Sequence, residues 1–135
     1  MKKIDTFIKK RKENFRYLYD RLKPYEDYFV LPKTLPQADP SWFAFPLTVR
    51  ENSGLTRKGV VDFLEKNRIM TRALFSGNLT KHPAYMNVNK RVASSLKVTD
   101  NIMNHTFFFG VYPGISKEIM EYVGNAFDEI VRKIK

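Results

Sequence analysis

Residues 46–64, "PLTVRENSGLTRKGVVDFL", decide the fold, because their pattern returns at residues 107–123, "FFFGVYPGISKEIMEYV". In both, a run rich in aromatic or β-branched residues, suited to a strand, leads through a glycine turn into apolar residues at helical spacing. The turns are Ser53-Gly54 and Pro113-Gly114. Thr56 and Ser116 follow as N-caps, since a side-chain oxygen can accept from a free first-turn N–H. Leu55 with Val60, and Ile115 with Met120, have the spacing of a hydrophobic staple. Two strand–turn–helix units with well-specified helix starts are predicted.

The second helix continues as Ile119, Val123, Ala126, Phe127, Ile130 and Ile134, one face at helical period. Arg132, Lys133 and Lys135 close it, favourably placed at the negative end of the helix dipole. At the other end of the chain, Ile4, Ile8, Phe15, Leu18 and Leu22 form a stripe with Arg11 at the missing step, and Pro24 ends that helix. This first helix can pack on the sheet or meet another body. Residues 25–31, "YEDYFVL", read as a short strand, and the proline-rich "PKTLPQADPS" after them as a stiff loop. Trp42 to Val49 is a strong strand, in which Pro46 suggests an edge position or a bulge. "VNKRVASSLKVTDNIMNH" is helical in part. The order α-β-β-α-β-α-β-α gives an α+β fold: a small, mostly antiparallel sheet with helices packed on one face. Residues 1–135 are expected to form a single domain, a long helix at 1–23 and a sheet-and-helix sandwich at 25–135.

Composition narrows the chemistry. The 135 residues contain no cysteine, so no disulfide, thiolate zinc site or Cys-ligated cluster can form from this chain alone. Of the net charge of +10, residues 1–23 contribute +6, from nine Lys/Arg and three Asp/Glu. That run reads either as a solvated helix face or as a basic arm for nucleic acid or a partner protein; no aromatic-basic nucleic-acid signature accompanies it. With no secretory signal and no run of the ~20 apolar residues a membrane span needs, a soluble cytoplasmic protein is expected. His82 and His105 have no acid at metal-ligand spacing, so no metal site is expected. No catalytic triad, phosphate loop or dinucleotide fingerprint appears, and no catalytic residue is assigned.

The segment "MTRALFSGN", residues 70–78, sets a charge inside an apolar run. As a strand it places Met70, Arg72 and Leu74 on one face and Thr71, Ala73 and Phe75 on the other. Arg72 can snorkel to water from an edge strand, or its planar fork can hold a phosphate or carboxylate. Ser76-Gly77-Asn78 would add a hydroxyl, an approachable backbone and an amide. "NIMNHTFFFGVYPG", residues 101–114, gathers Asn101, Asn104, His105 and Thr106 ahead of an aromatic strand.

Residues 41–85, "SWFAFPLTVRENSGLTRKGVVDFLEKNRIMTRALFSGNLTKHPAY", together with "TDNIMNHTFFFGVYPGIS", resemble the C-terminal segment of DegT/StrS-type sugar aminotransferases and dehydratases. These are vitamin B6-dependent enzymes of the fold-type I class. The likeness is strongest to the nucleotide-sugar 3-dehydratases that act on CDP-4-keto-6-deoxyhexoses in lipopolysaccharide O-antigen synthesis. A sugar 4-aminotransferase is the alternative within the family. The resemblance implies that a large domain outside this chain binds pyridoxal or pyridoxamine phosphate and carries the catalytic lysine or the histidine replacing it. It further implies that any iron–sulfur cluster cysteines lie outside the chain, that the intact enzyme is a dimer, and that this small domain alone binds no cofactor and is inactive. Carried over by motif, Arg72, Phe75, Ser76, Gly77 and Asn78 would line the sugar side of the cleft. His82 and Tyr85 would sit in the adjoining loop, and Asn104 before the last strand.

Overall fold

The computed structural model describes residues 3–133. Its elements are α1 (Ile4–Leu22), β1 (Phe29–Val30), β2 (Ala44–Val49), α2 (Arg57–Lys66), β3 (Thr71–Ala73), α3 (Lys97–His105), β4 (Thr106–Gly110) and α4 (Lys117–Arg132). The strands form one antiparallel sheet in the order β1-β2-β4-β3. The expected α+β class and element order hold.

Both repeated units form as their caps require. Thr56 accepts from Gly59 N–H at 3.1 Å, and Ser116 from Ile119 N–H at 3.4 Å. Leu55 and Ile115 pack against the core that contains Val60 and Met120. The strand expected over 25–31 is shorter. Lys23–Tyr25 form a 3-10 turn around Pro24, and only Phe29–Val30 pair with β2.

Pro46 does not lie on an edge strand or at a bulge. β2 sits between β1 and β4, and its register with β4 is continuous from Ala44↔Gly110 to Thr48↔Thr106. The missing N–H is tolerated because β1 reaches only Val49 and Thr48, so Pro46 has a strand neighbour on one side alone.

One face of the sheet is closed by helices. Phe45, Leu47 and Val49 of β2 and Phe107 and Phe109 of β4 meet Leu18 and Leu22 of α1, Val60 and Leu64 of α2, and Phe127 of α4. Aromatic rings run through this layer without a break. Trp42 stacks on Phe15 at 4.8 Å, Phe15 lies 4.9 Å from Phe45, and Phe45 5.5 Å from Phe109; Phe109 then reaches Phe127 at 5.9 Å, and Phe127 meets Phe29 edge-on at 5.6 Å.

Two helical faces differ from the pattern read in the sequence. On α4, Ile119 is exposed, and Met120 and Val131 join the buried face instead; Ile134 and Lys135 lie outside the described residues. On α1, Leu18 and Leu22 are buried, whereas Ile4 and Phe7 stand exposed and Ile8 half-buried.

α1 and α4 are joined by a polar clasp. Asp128 accepts from the Arg21 guanidinium and the Tyr25 hydroxyl, each at 2.5 Å. Gly124 leaves room for the Arg21 side chain, because a Cβ there would stand 2.7 Å from Arg21 Nε. Arg21, and then Tyr25, hold the Asp128 carboxyl below its usual 3.8. A depressed carboxyl stabilises the fold above its unfolded value and loses that contribution as pH falls through its folded value. Asp128→Asn should therefore cost on the order of 1 kcal/mol at pH 7, the half-exposed site discounted for screening. The gap to wild type should narrow on acidification below about 3.8. Urea denaturation at pH 7 and pH 3 checks this; a gap independent of pH would assign the cost to packing rather than charge.

Candidate functional site

The face of the sheet turned away from α1, α2 and α4 carries the candidate site, and the pleat of β4 creates it. Phe107 and Phe109 point into the core, so Phe108 must point out. Phe43 meets Phe108 edge-on at 5.9 Å, and Phe75 leans over it at 6.2 Å. Arg72 lies directly across the ladder from Phe108. Phe75 is 75% exposed and Phe43 56% exposed, so this aromatic group is open to solvent.

Arg72 is exposed and forms no ion pair among the described residues. The carboxylate that feels its charge, Glu65, is engaged elsewhere, accepting from the Thr71 backbone N–H at 2.6 Å and hydroxyl at 2.8 Å. Beside Arg72 a groove of about 570 Å³ opens between the β3 edge and α4, walled by Met70, Phe108, Tyr112, Ile119 and Tyr122. That volume falls within the usual range for small-molecule sites. A free guanidinium at the rim of an apolar groove is suited to hold an anionic group while the apolar part of the same ligand leaves water.

After β3 the chain turns through two left-handed residues, Phe75 at φ 50° and Gly77 at φ 60°. Asn78 is 2% exposed, and both ends of its amide are engaged: the nitrogen donates to Asp100 Oδ1 at 2.6 Å, and the oxygen accepts from Thr80 N–H and hydroxyl at 3.1 and 2.7 Å. His82 donates from Nε2 to the Ser76 carbonyl. Lys81 pairs with Asp100 at 2.9 Å, and Met103 packs beneath Gly77. α3 therefore props this loop from below.

Of the eight residues singled out from the sequence, Arg72 and Phe75 face solvent together, with Ser76 exposed beside them. Gly77, Asn78 and His82 shape the loop. Tyr85 is exposed in a further 3-10 turn, where its carbonyl accepts from Lys90 at 2.7 Å. Asn104 is exposed near the end of α3, on the wall of a separate polar groove with Glu51, Asp100 and His105; its carbonyl accepts from Arg57 at 2.9 Å. Phe43, Phe108, Glu65, Asp100 and Met103 escaped the sequence reading. Phe108 could have been found from strand alternation alone, since three consecutive phenylalanines cannot share one face.

Residues 1–128 match the DegT/DnrJ/EryC1/StrS aminotransferase family. The chain belongs to that family. Its curated relatives include the lipopolysaccharide biosynthesis protein RfbH of Salmonella typhimurium, 43% identical over 96% of this chain and 30% of the relative. A second is the dTDP-4-dehydro-2,6-dideoxy-D-glucose 3-dehydratase of Saccharopolyspora spinosa, 41% identical over 98% of this chain and 29% of the relative. This family member thus spans about a third of the length of the relatives it matches. Among solved structures, the Escherichia coli GDP-4-keto-6-deoxy-D-mannose-3-dehydratase with hydrated PLP superposes with a TM-score of 0.83 at 23% identity, over 93% of this chain and 32% of that one. An aminotransferase from Psychrobacter cryohalolentis gives 0.86 at 16% identity, over 98% and 36%. At these identities the superpositions establish the shared fold.

Among the described residues, neither of these two grooves assembles a pyridoxal phosphate site. The groove beside Arg72 has no lysine to bond the aldehyde and no acid to face the ring nitrogen. The polar groove beside Asn104 has Lys97, but its carboxylates Glu51 and Asp100 would oppose a phosphate. Among the described residues no group of three or more acids and histidines could hold a metal.

Gly77 tests the loop architecture. A Cβ there would stand 2.4 Å from Met103 Cγ, at a φ that L side chains avoid. Gly77→Ala should lower stability by about 1–3 kcal/mol, read as a reduced urea midpoint at unchanged slope. An unchanged midpoint would show that α3 does not bear on the loop.

Proposed function

We propose that this chain is the C-terminal domain of a pyridoxal- or pyridoxamine-phosphate-dependent nucleotide-sugar 3-dehydratase of lipopolysaccharide or deoxysugar synthesis. In this reading it closes the sugar side of an active site whose cofactor, and whose catalytic lysine or histidine, belong to a large domain outside this chain. The observation that carries the reading is the unpaired Arg72 set against Phe108 and Phe75, in a chain 43% identical to a lipopolysaccharide biosynthesis protein. The substrate class is a nucleotide-linked 4-keto-6-deoxyhexose, with a CDP-sugar as the leading candidate. The enzyme works as a homodimer in the cytoplasm. Any iron–sulfur cluster takes its ligands from outside this chain, which has no cysteine.

Each group present has a task that needs no cofactor. Arg72 can bind the anionic diphosphate or a nearby carboxylate with two parallel N–H···O bonds. Phe75 and Phe108 can cover an apolar face of the ligand and keep water from it. The exposed Ser76 is placed to offer a hydroxyl beside them. In this reading, proton abstraction and loss of the 3-hydroxyl belong to the large domain.

A 3-dehydratase is favoured over a 4-aminotransferase because a relative more than 40% identical is named a 3-dehydratase. A basic module for nucleic acid is disfavoured by α1 itself. There Lys10 pairs with Glu13, Lys12 with Asp39 and Arg16 with Asp20, as in a solvated helix face.

In the enzyme that joins this segment to its cofactor domain, Arg72→Ala should raise KM for the nucleotide sugar about 10- to 100-fold, the cost of a lost charge-assisted contact. The value of kcat should change less, since Arg72 binds ground state and transition state alike. Steady-state kinetics decides: an unchanged KM would remove Arg72 from the site.

A further inference from the structure

The segment that carries Arg72 and Phe75 is held at both ends and strained between them. At its start, Glu65 of α2 accepts from both Thr71 N–H and Thr71 hydroxyl. Since β3 is an edge strand, Glu65 takes the place where a further strand's acceptor would stand. At its end, Asp100 of α3 accepts from the buried Asn78 amide and pairs with Lys81. Between these anchors Phe75 sits at φ 50°, a conformation that a bulky side chain keeps only where its surroundings over-determine it. Both carboxylates stand outside the hydrophobic core and act on the segment through hydrogen bonds.

We propose that Glu65 and Asp100 are a pair of positioning residues, one carboxylate at each end of residues 71–78, that together display Arg72 and Phe75 as one surface. The proposal rests on the reading of that surface as the sugar side of the active site. The Thr71 N–H, then its hydroxyl, hold the Glu65 carboxyl below the usual range; the Asn78 amide, then Lys81, do the same for Asp100. Both are therefore charged acceptors at neutral pH. What the segment requires of them is an acceptor oxygen, which glutamine and asparagine can also provide.

Two measurements test this. In the chain itself, amide hydrogen exchange should quicken about tenfold or more at Thr71 in Glu65→Ala and at Thr80 in Asp100→Ala, while core amides in β2 and β4 keep their protection. In the enzyme with its cofactor domain, each alanine variant should raise KM for the nucleotide sugar about tenfold with kcat within about threefold, as expected for a misplaced binding group. Glu65→Gln and Asp100→Asn should restore KM close to wild type. If Arg72→Ala raises KM and the two alanine variants do not, the positioning proposal is overturned and the site reading stands. If Arg72→Ala leaves KM unchanged, the site reading fails, and this proposal with it. Loss of core protection in the alanine variants, or no rescue by glutamine and asparagine, would show a merely structural role and overturn the proposal directly.

Discussion

The pleat of β4 divides this molecule into a core and a working face. A strand sends alternate side chains to opposite sides, so the Phe107–Phe109 triplet cannot be buried as a block. Phe107 and Phe109 join the aromatic layer beneath α1, α2 and α4, and Phe108 is left on the other side. Its neighbours there are fixed by register, Pro46 on β2 and Arg72 on β3. A one-residue slip of β4 would exchange the two sets, exposing core rings and burying the one that meets Phe43 and Phe75. Core and candidate site therefore depend on the same register.

The charges divide in a comparable way. Two cations of α1, Lys10 and Arg16, serve local pairs, which add little in water. Arg21 is different: it lies along Gly124 and closes the clasp with Asp128 and Tyr25, fixing α1 against α4. Arg72 is different again, a cation that forms no ion pair among the described residues, on a face lined by aromatics. A large net charge says little about which of these roles a given cation has; only its neighbours do.

How much was legible follows from how local each feature is. The strand–turn–helix units were readable because Thr56 and Ser116 act within their own first turns and the staples span five residues. The edge position suggested for Pro46 holds only locally, within an inner strand, because it depends on how far β1 reaches, which nothing near Pro46 encodes. On α4, Ile119 and Met120 are adjacent and alike in character; the staple with Ile115 pointed to Met120, and the core buries Met120 rather than Ile119. At the candidate site, the motif pointed to Arg72, Phe75 and Gly77. The anchors Glu65 and Asp100 lie on helices before and after it, at sequence separations where no short motif can connect them.

The apolar surface is the remaining physical puzzle, and it has one economical account. Phe43, Met70, Phe75, Tyr112 and Tyr122 are each more than half exposed, and several border one groove. Single exposed apolar residues are ordinary, but a contiguous set beside an unpaired guanidinium marks a surface made to be covered. The strain at Phe75 argues the same way. A chain selected for stability alone would relax that backbone, or place glycine there as it does at Gly77. Instead Phe75 keeps its bulky ring over Phe108, in a segment bonded to Glu65 at Thr71 and to Asp100 at Asn78. On the reading proposed above such a surface is one wall of a larger site, in a chain that spans about a third of its relatives' length.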